Sequence, residues 1–209
     1  MAKNRLFAGI AGVVLGFCSL GANAAKGLTY TYGEIGYTNI DSDDVEADGA
    51  TARISYGATD YLHVKFEYSH FNGADVTRRS SSGKQELDVD IDRFLIGMGG
   101  NYTVLKKAGA LDALDVFGTL SYYNAENSGE SNNSDRGYQV DGGLRALLTK
   151  KFELNATVTY LDIDNFDGET GFGGGLVYRF YKRFSATGNI RHFSQDDTTE
   201  IFAGIRYNF

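Results

Sequence analysis

The sequence predicts an all-β protein, a transmembrane antiparallel up-and-down β-barrel of ten strands, with eight as the alternative count. Three observations carry this. After an apolar leader the chain repeats one rhythm, about ten alternating residues and then a turn, which is the weak per-segment signature of a membrane barrel. The composition fits many strands and tight turns: 27 Gly, no Pro, no Trp, 14 Tyr and 14 Phe. The chain also closes on EIFAGIRYNF, where Ile201, Ala203, Ile205, Tyr207 and Phe209 share one parity and Glu200, Phe202, Gly204, Arg206 and Asn208 the other. Successive strand residues point to opposite faces, so one face of this segment is greasy to its end and the other carries charge.

The leader comes first. Lys3 and Arg5 precede the apolar run LFAGIAGVVLGFCSL, and Ala22 and Ala24 set a small-x-small cleavage pattern. We read residues 1–24 as a secretory signal peptide and 25–209 as a single barrel domain. Removing two bases leaves 18 against 27 acids, a mature charge near −9. That balance argues against a general nucleic-acid binder. Cys18, the one cysteine, lies inside the leader, so the mature chain has no disulfide and no thiolate metal site. The bulky Phe17 before it disfavours a lipidation site. No mature segment approaches the roughly 20 apolar residues of a spanning helix.

The strand segments are 27–40, 49–59, 61–73, 87–102, 114–126, 137–149, 151–163, 169–181, 183–194 and 198–209. Parity assigns their faces. In the first, placing Glu34 inside with Tyr30 and Tyr32 leaves Ile35 and Tyr37 to lipid, because a carboxylate against hydrocarbon is costly. The second sets Ala52, Ile54 and Tyr56 against Arg53, and the third sets Leu62, Val64, Phe66 and Tyr68 against His63, Lys65 and Glu67. In the fourth the apolar row changes phase, from Leu87, Val89 and Ile91 to Phe94, Ile96, Met98 and Tyr102. A bulge near Asp92-Arg93 is one explanation. We favour the other, a protruding strand with Asp88, Asp90 and Asp92 outward, since Phe94 to Tyr102 already supplies the nine residues of a span. The sixth segment opposes Tyr138, Val140 and Leu144 to Asp141 and Arg145, and the seventh opposes Leu154 and Val158 to Glu153. The last three place Arg179, Arg191 and Arg206 on the polar parity.

Connections alternate between polar stretches (DSDDVEAD, ADVTRRSSSGKQE, NSGESNNSDR) and turns of a few residues. Such barrels keep short turns in the periplasm and longer loops outside, so both termini are expected in the periplasm. The stretch 103–113 is long for a short turn and is expected to form one helical turn.

The inward parity collects a charge network: Glu34, Arg53, Lys65, Glu67, Arg93, Asp141, Arg145, Arg179, Arg191 and Arg206, with Glu153 and Glu200. Buried charges need partners, and small barrels are filled by side chains, so a plugged interior is expected. A narrow anion-preferring channel is the alternative, since bases outnumber acids inside. The acidic tips (Asp41, Asp43, Asp44, Glu46, Asp48; Asp162, Asp164, Asp167, Glu169; Asp196, Asp197) are read as solvated. DSDDVEADG lacks the glycine and glutamate spacing of a calcium loop. Arg78, Arg79 and Lys84 are the better candidates for contact with anionic sugars or phosphates. The histidines His63, His70 and His192 sit in no catalytic motif; no enzyme, cofactor or metal is expected.

Ile205, Tyr207 and Phe209 resemble the C-terminal signature of Gram-negative outer-membrane proteins, which implies recognition by the barrel-assembly machinery. The mature chain resembles the small outer-membrane β-barrel superfamily that includes OmpX- and OmpA-like domains. Within it, GLTYTYGEIGY, FLIGMGGNY and GYQVDGGLRALLT look most like the Ax-type barrels of xanthomonads. OmpX and OmpA barrels have eight strands, so no functional residue carries over from them. The resemblance implies an outer-membrane location, lipid and lipopolysaccharide as surroundings, and a structural or surface role in envelope integrity, adhesion or host contact. The outward faces show no distinct polar patch, and a monomer is expected.

Overall fold

The computed structural model describes residues 28–42, 45–80, 83–109, 111–128, 133–164 and 168–209. The leader with its cleavage site, and Asp43, Asp44 and Asp167, lie outside the described residues. So do the side chains of 74–88, including Arg78, Arg79, Lys84, Leu87 and Asp88.

Ten antiparallel strands run in chain order: β1 Tyr32–Asp41, β2 Val45–Gly57, β3 Leu62–Ser80, β4 Gly83–Ala108, β5 Leu111–Ser128, β6 Asn133–Thr149, β7 Phe152–Ile163, β8 Glu169–Arg179, β9 Phe184–Phe193 and β10 Thr198–Asn208. Each pairs with its chain neighbours, and β1 pairs with β10 to close the barrel. The seam runs from Tyr32 opposite Asn208 to Asp41 opposite Thr199. Closure leaves no edge of unpaired amides, which a sheet surrounded by lipid requires.

The hydrophobic organisation is inverted relative to a soluble domain. Ile35 is 70% exposed, Met98 69% and Phe172 58%, while Glu34, Glu67, Arg93, Asp141 and Arg206 are each 8% exposed or less. Outward apolar rows on every strand make a surface whose solvent is hydrocarbon. The first strand takes the phase that puts Glu34 inside and Ile35 and Tyr37 outside.

The favoured reading of the fourth segment as a protruding strand holds, while a bulge on its partner and several strand boundaries differ from the sequence reading. β4 keeps one phase through Asp92 and Arg93, and the extra residue sits in β3, where pairing jumps from Phe71–Ile91 to Ala74–Val89. Gly73, at φ 63°, takes up that bulge because glycine enters the left-handed region at no steric cost. Asp92 therefore faces outward, accepting hydrogen bonds from Tyr68 Oη and His70 Nδ1 at 2.7 Å each. Ile91 and Val89 turn inward onto Phe71 and Ala47. Among its described residues, the stretch 103–113 forms no helical turn. β4 runs on to Ala108 with an irregularity between Thr103 and Leu105, and β5 starts at Leu111; the ladder continues past the barrel rim because each added residue pair satisfies its own backbone groups.

The first strand also starts later than expected, at Tyr32. Residues 28–31 leave the wall and cross the mouth at the end holding the termini. Leu28 is buried against Ala113 of β5 and Leu147 of β6, on the wall opposite β1 in the strand order. Arg145 of β6 donates from both Nη atoms to the Thr29 carbonyl at 3.1 Å. Ser55 of β2 donates to the Tyr30 carbonyl at 2.7 Å, and the Tyr30 ring stacks on His63 of β3 at 4.9 Å. The segment is a strap across the barrel.

Candidate functional site

The lumen holds the candidate site, and register assembles its first part. Glu34 stands directly opposite Arg53 on β2 and Arg206 on β10, and Arg53 stands opposite Glu67 on β3. Opposed inward residues of neighbouring strands lie close enough for ion pairs. Arg206 Nε donates to Glu34 at 2.6 Å, Arg53 Nε donates to Glu67 at 2.8 Å, and Arg53 Nη1 lies 3.9 Å from Glu34.

Contacts across the interior, together with two further hairpin pairs, supply the rest. Arg93 on β4 pairs with Glu200 on β10, across the interior, and its Nη2 lies 3.6 Å from Glu67. Glu200 also holds Arg191 at 3.0 Å. On the other side Arg206 lies 3.8 Å from Glu153 on β7, which takes Arg145 at 2.7 Å. The result is one chain of alternating charge: Arg145, Glu153, Arg206, Glu34, Arg53, Glu67, Arg93, Glu200, Arg191.

Every arginine of that chain also has an aromatic ring against its face. Arg53 lies over Phe202 at 3.9 Å, Arg206 over Tyr32 at 4.0 Å and Arg145 over Tyr30 at 4.4 Å. Arg93 and Arg191 lie over Phe71 and Phe193, both at 5.4 Å. A planar guanidinium uses its edge for carboxylates and its face for rings, so each side chain is fixed twice. Sequence reasoning placed the charges but not these stacks; the available signal was the set of aromatics on the polar parity, Phe202 above all.

Three residues of the expected network, Lys65, Asp141 and Arg179, stand apart. Lys65 lies 3.8 Å from Asp141, whose carboxylate accepts from Gln139 at 2.9 Å and Thr159 at 2.8 Å. Arg179 does not join the chain. It sits at the terminus of β8 and donates to the Lys150 carbonyl at 3.2 Å, because its strand ends at the rim, where a turn carbonyl is nearer than any lumen carboxylate. Ile205 and Phe209 face outward, and Tyr207 packs edge-on against Phe184 and Phe209 at 5.1 and 5.2 Å.

A polar cavity of about 160 Å³ remains beside the chain of charges, lined among others by Lys65, Asp141, Asn155, Thr157, Asn189 and Arg191. It has room for several waters. The histidines are dispersed. His63 is buried between Asn101 and Thr119, His70 pairs with Asp92 on the outer face, and His192 contacts Thr199 and Asp197 at the rim.

Comparison with known proteins gives the architecture a family context. A family model described as the outer membrane protein beta-barrel domain matches residues 10–180. Among solved structures, the β domain of the Bordetella autotransporter BrkA superposes with a TM-score of 0.52 at 10% identity, covering 85% of this chain and 98% of that one. The NanC porin gives 0.50 at 8% identity, covering 85% and 100%. OprG of Pseudomonas aeruginosa gives 0.48 at 15% identity, covering 88% and 98%. For the BrkA domain and NanC, at these identities, the likeness is one of fold. No curated protein matches the sequence significantly.

Proposed function

The chain belongs to the outer membrane protein β-barrel domain family, and from that premise we propose that it is a closed-lumen barrel with a structural or surface role, in envelope integrity, adhesion or host contact, and not an enzyme. The observation that carries this reading is the continuous chain of paired charges, which crosses the interior at Arg93–Glu200 and at Arg206–Glu153. Two further fillings support it. The strap of residues 28–31 covers the termini end, and Phe71 packs with Ala47, Ile40, Val45, Val89 and Ile91 toward the other.

We further propose a periplasmic position for both termini, with the long β3–β4 and β5–β6 hairpins outside, as the contrast with short turns at the termini end supports. The signal peptide is removed after Ala24, the protein is monomeric, and lipopolysaccharide surrounds its outer half. The motifs quoted above support kinship with the OmpX/OmpA-like barrels and the Ax-type proteins. Ile205, Tyr207 and Phe209 serve the barrel-assembly machinery. Deleting Phe209 is expected to leave refolding into micelles nearly unchanged while cutting the heat-modifiable form recovered from cell envelopes; equal recovery would remove the assembly role.

The decisive measurement is single-channel conductance of the refolded mature protein in a planar bilayer, with folding verified by a heat-dependent gel shift. A silent bilayer is expected. The second reading, a narrow anion-preferring channel, is favoured by the polar cavity with Lys65 and Arg191 on its wall. Discrete anion-preferring steps that grow in Arg53→Ala or Arg93→Ala would establish it in place of the first.

A further inference from the structure

Among the described side chains, the two ends of the barrel carry opposite charge. At the termini end three hairpins each hold two adjacent bases: Lys106-Lys107 in the last residues of β4 before its turn, Lys150-Lys151 between β6 and β7, and Lys182-Arg183 between β8 and β9, all six exposed. The exposed or half-buried acids near them are Asp60 in the β2–β3 turn and Asp112, while Asp115 and Glu153 are buried. The opposite rim exposes Asp41, Glu46, Asp48, Glu126, Asp164, Asp196 and Asp197, with Arg136 as an exposed base. The whole sequence is acidic, at −7, so the basic end runs against the overall balance.

These bases sit directly beyond a band of outward aromatics. Tyr102 and Tyr181 are each about 62% exposed, and Phe152, Phe180 and Phe184 are exposed beside them. Arg183 is held at that level by Tyr207, because its Nη1 donates to Tyr207 Oη at 2.9 Å and its guanidinium lies 6.0 Å from the Tyr207 ring. Long basic side chains at a membrane boundary lay their methylenes along the apolar surface and direct the charge to the headgroups. Attraction of each base to an anionic surface acts within about a Debye length, ~8 Å at physiological salt.

We propose that the three basic hairpin ends form an interaction surface for anionic phospholipid headgroups, seating the termini end of the barrel on the leaflet it faces. Identification of that leaflet as the periplasmic one rests on the orientation proposed above; the lipid preference itself does not. The phosphate is the recognised group, and the ammonium and guanidinium groups are its donors.

The test uses the refolded mature protein in nanodiscs of phosphatidylcholine mixed with phosphatidylglycerol. Lipids retained by the barrel are identified by native mass spectrometry after gentle detergent release. Wild type is expected to retain phosphatidylglycerol with enrichment on the order of fivefold, falling toward parity at high salt. The variant carrying K106Q, K107Q, K150Q and K151Q should lose most of that enrichment. It leaves Arg183 and its tyrosine contact in place, so folding, read by the gel shift, is retained. Enrichment unchanged in this variant, or abolished instead by Arg136→Gln at the opposite rim, would overturn the proposal. Labelling of the termini in intact cells tests orientation separately. Termini found outside the cell would remove the periplasmic assignment while leaving the lipid preference to stand or fall on the nanodisc result.

Discussion

Glu67→Ala is expected to lower the unfolding free energy of the barrel by about 3–5 kcal/mol, the range for removing one partner of a buried ion pair. Urea titration of the refolded protein in micelles, followed by tryptophan-free near-ultraviolet signals or the gel shift, measures it. Glu67 is 2% exposed and serves two guanidiniums, Arg53 at 2.8 Å and Arg93 at 3.6 Å. Arg93 keeps Glu200, but Arg53 keeps only Glu34, at 3.9 Å and beyond hydrogen-bond distance. The chain of five arginines and four glutamates would then carry one more uncompensated positive charge in its interior. The double variant R53M/E67L removes both members of one pair, and should recover more than half of the loss, since apolar replacement of a whole buried pair is often neutral. A double variant as unstable as the single one would show that Glu67 acts through something other than its pairing.

The second large effect lies at the closure seam. Gly36 of β1 and Gly204 of β10 stand opposite each other on the inner wall, and the Phe202 ring packs over both. A Cβ at position 36 would stand 2.3 Å from the Ala203 carbonyl oxygen, 2.7 Å from Gly204 Cα and 2.7 Å from the Phe202 ring. The first two are backbone atoms, so the two strands themselves must separate. Gly36→Leu is expected to cost about 3 kcal/mol, the upper part of the overpacking range, and to shift the population toward the unclosed form on an unheated gel. Gly118→Leu on β5 is the control, since its Cβ would meet only the Asp141 carbonyl oxygen, at 3.8 Å. Equal damage from both would mean that the seam is no more sensitive than the rest of the wall.

Much of the wall was legible because strand parity is a local property. Whether Arg53 faces in follows from Ala52 and Ile54 facing out, and needs no knowledge of what lies across the barrel. The Glu34–Arg53 pair, joined through one hairpin, is legible for the same reason. Where parity was ambiguous, the cost of a carboxylate in hydrocarbon decided the phase, and Glu34 does lie inside. The misjudged places depended on how far a ladder continues. The helical turn expected over 103–113 is instead strand, because pairing persists as long as both chains can extend, and nothing in one strand's own residues marks where its partner stops.

By itself, then, the sequence predicted ten strands, the two faces of most of them and the sign of charge on the inner one, because each is set by neighbours within a few residues. Closure decided the rest. Only when β10 meets β1 does Arg93 reach Glu200 and Arg206 reach Glu153, joining local pairs into one chain. Only the finite width of the closed mouth lets residues 28–31 leave the wall and place Leu28 against Ala113 and Leu147. The contacts that fill the lumen join residues far apart in sequence, such as Thr29 and Arg145. Their distance is a property of the barrel's circumference, which no single strand encodes.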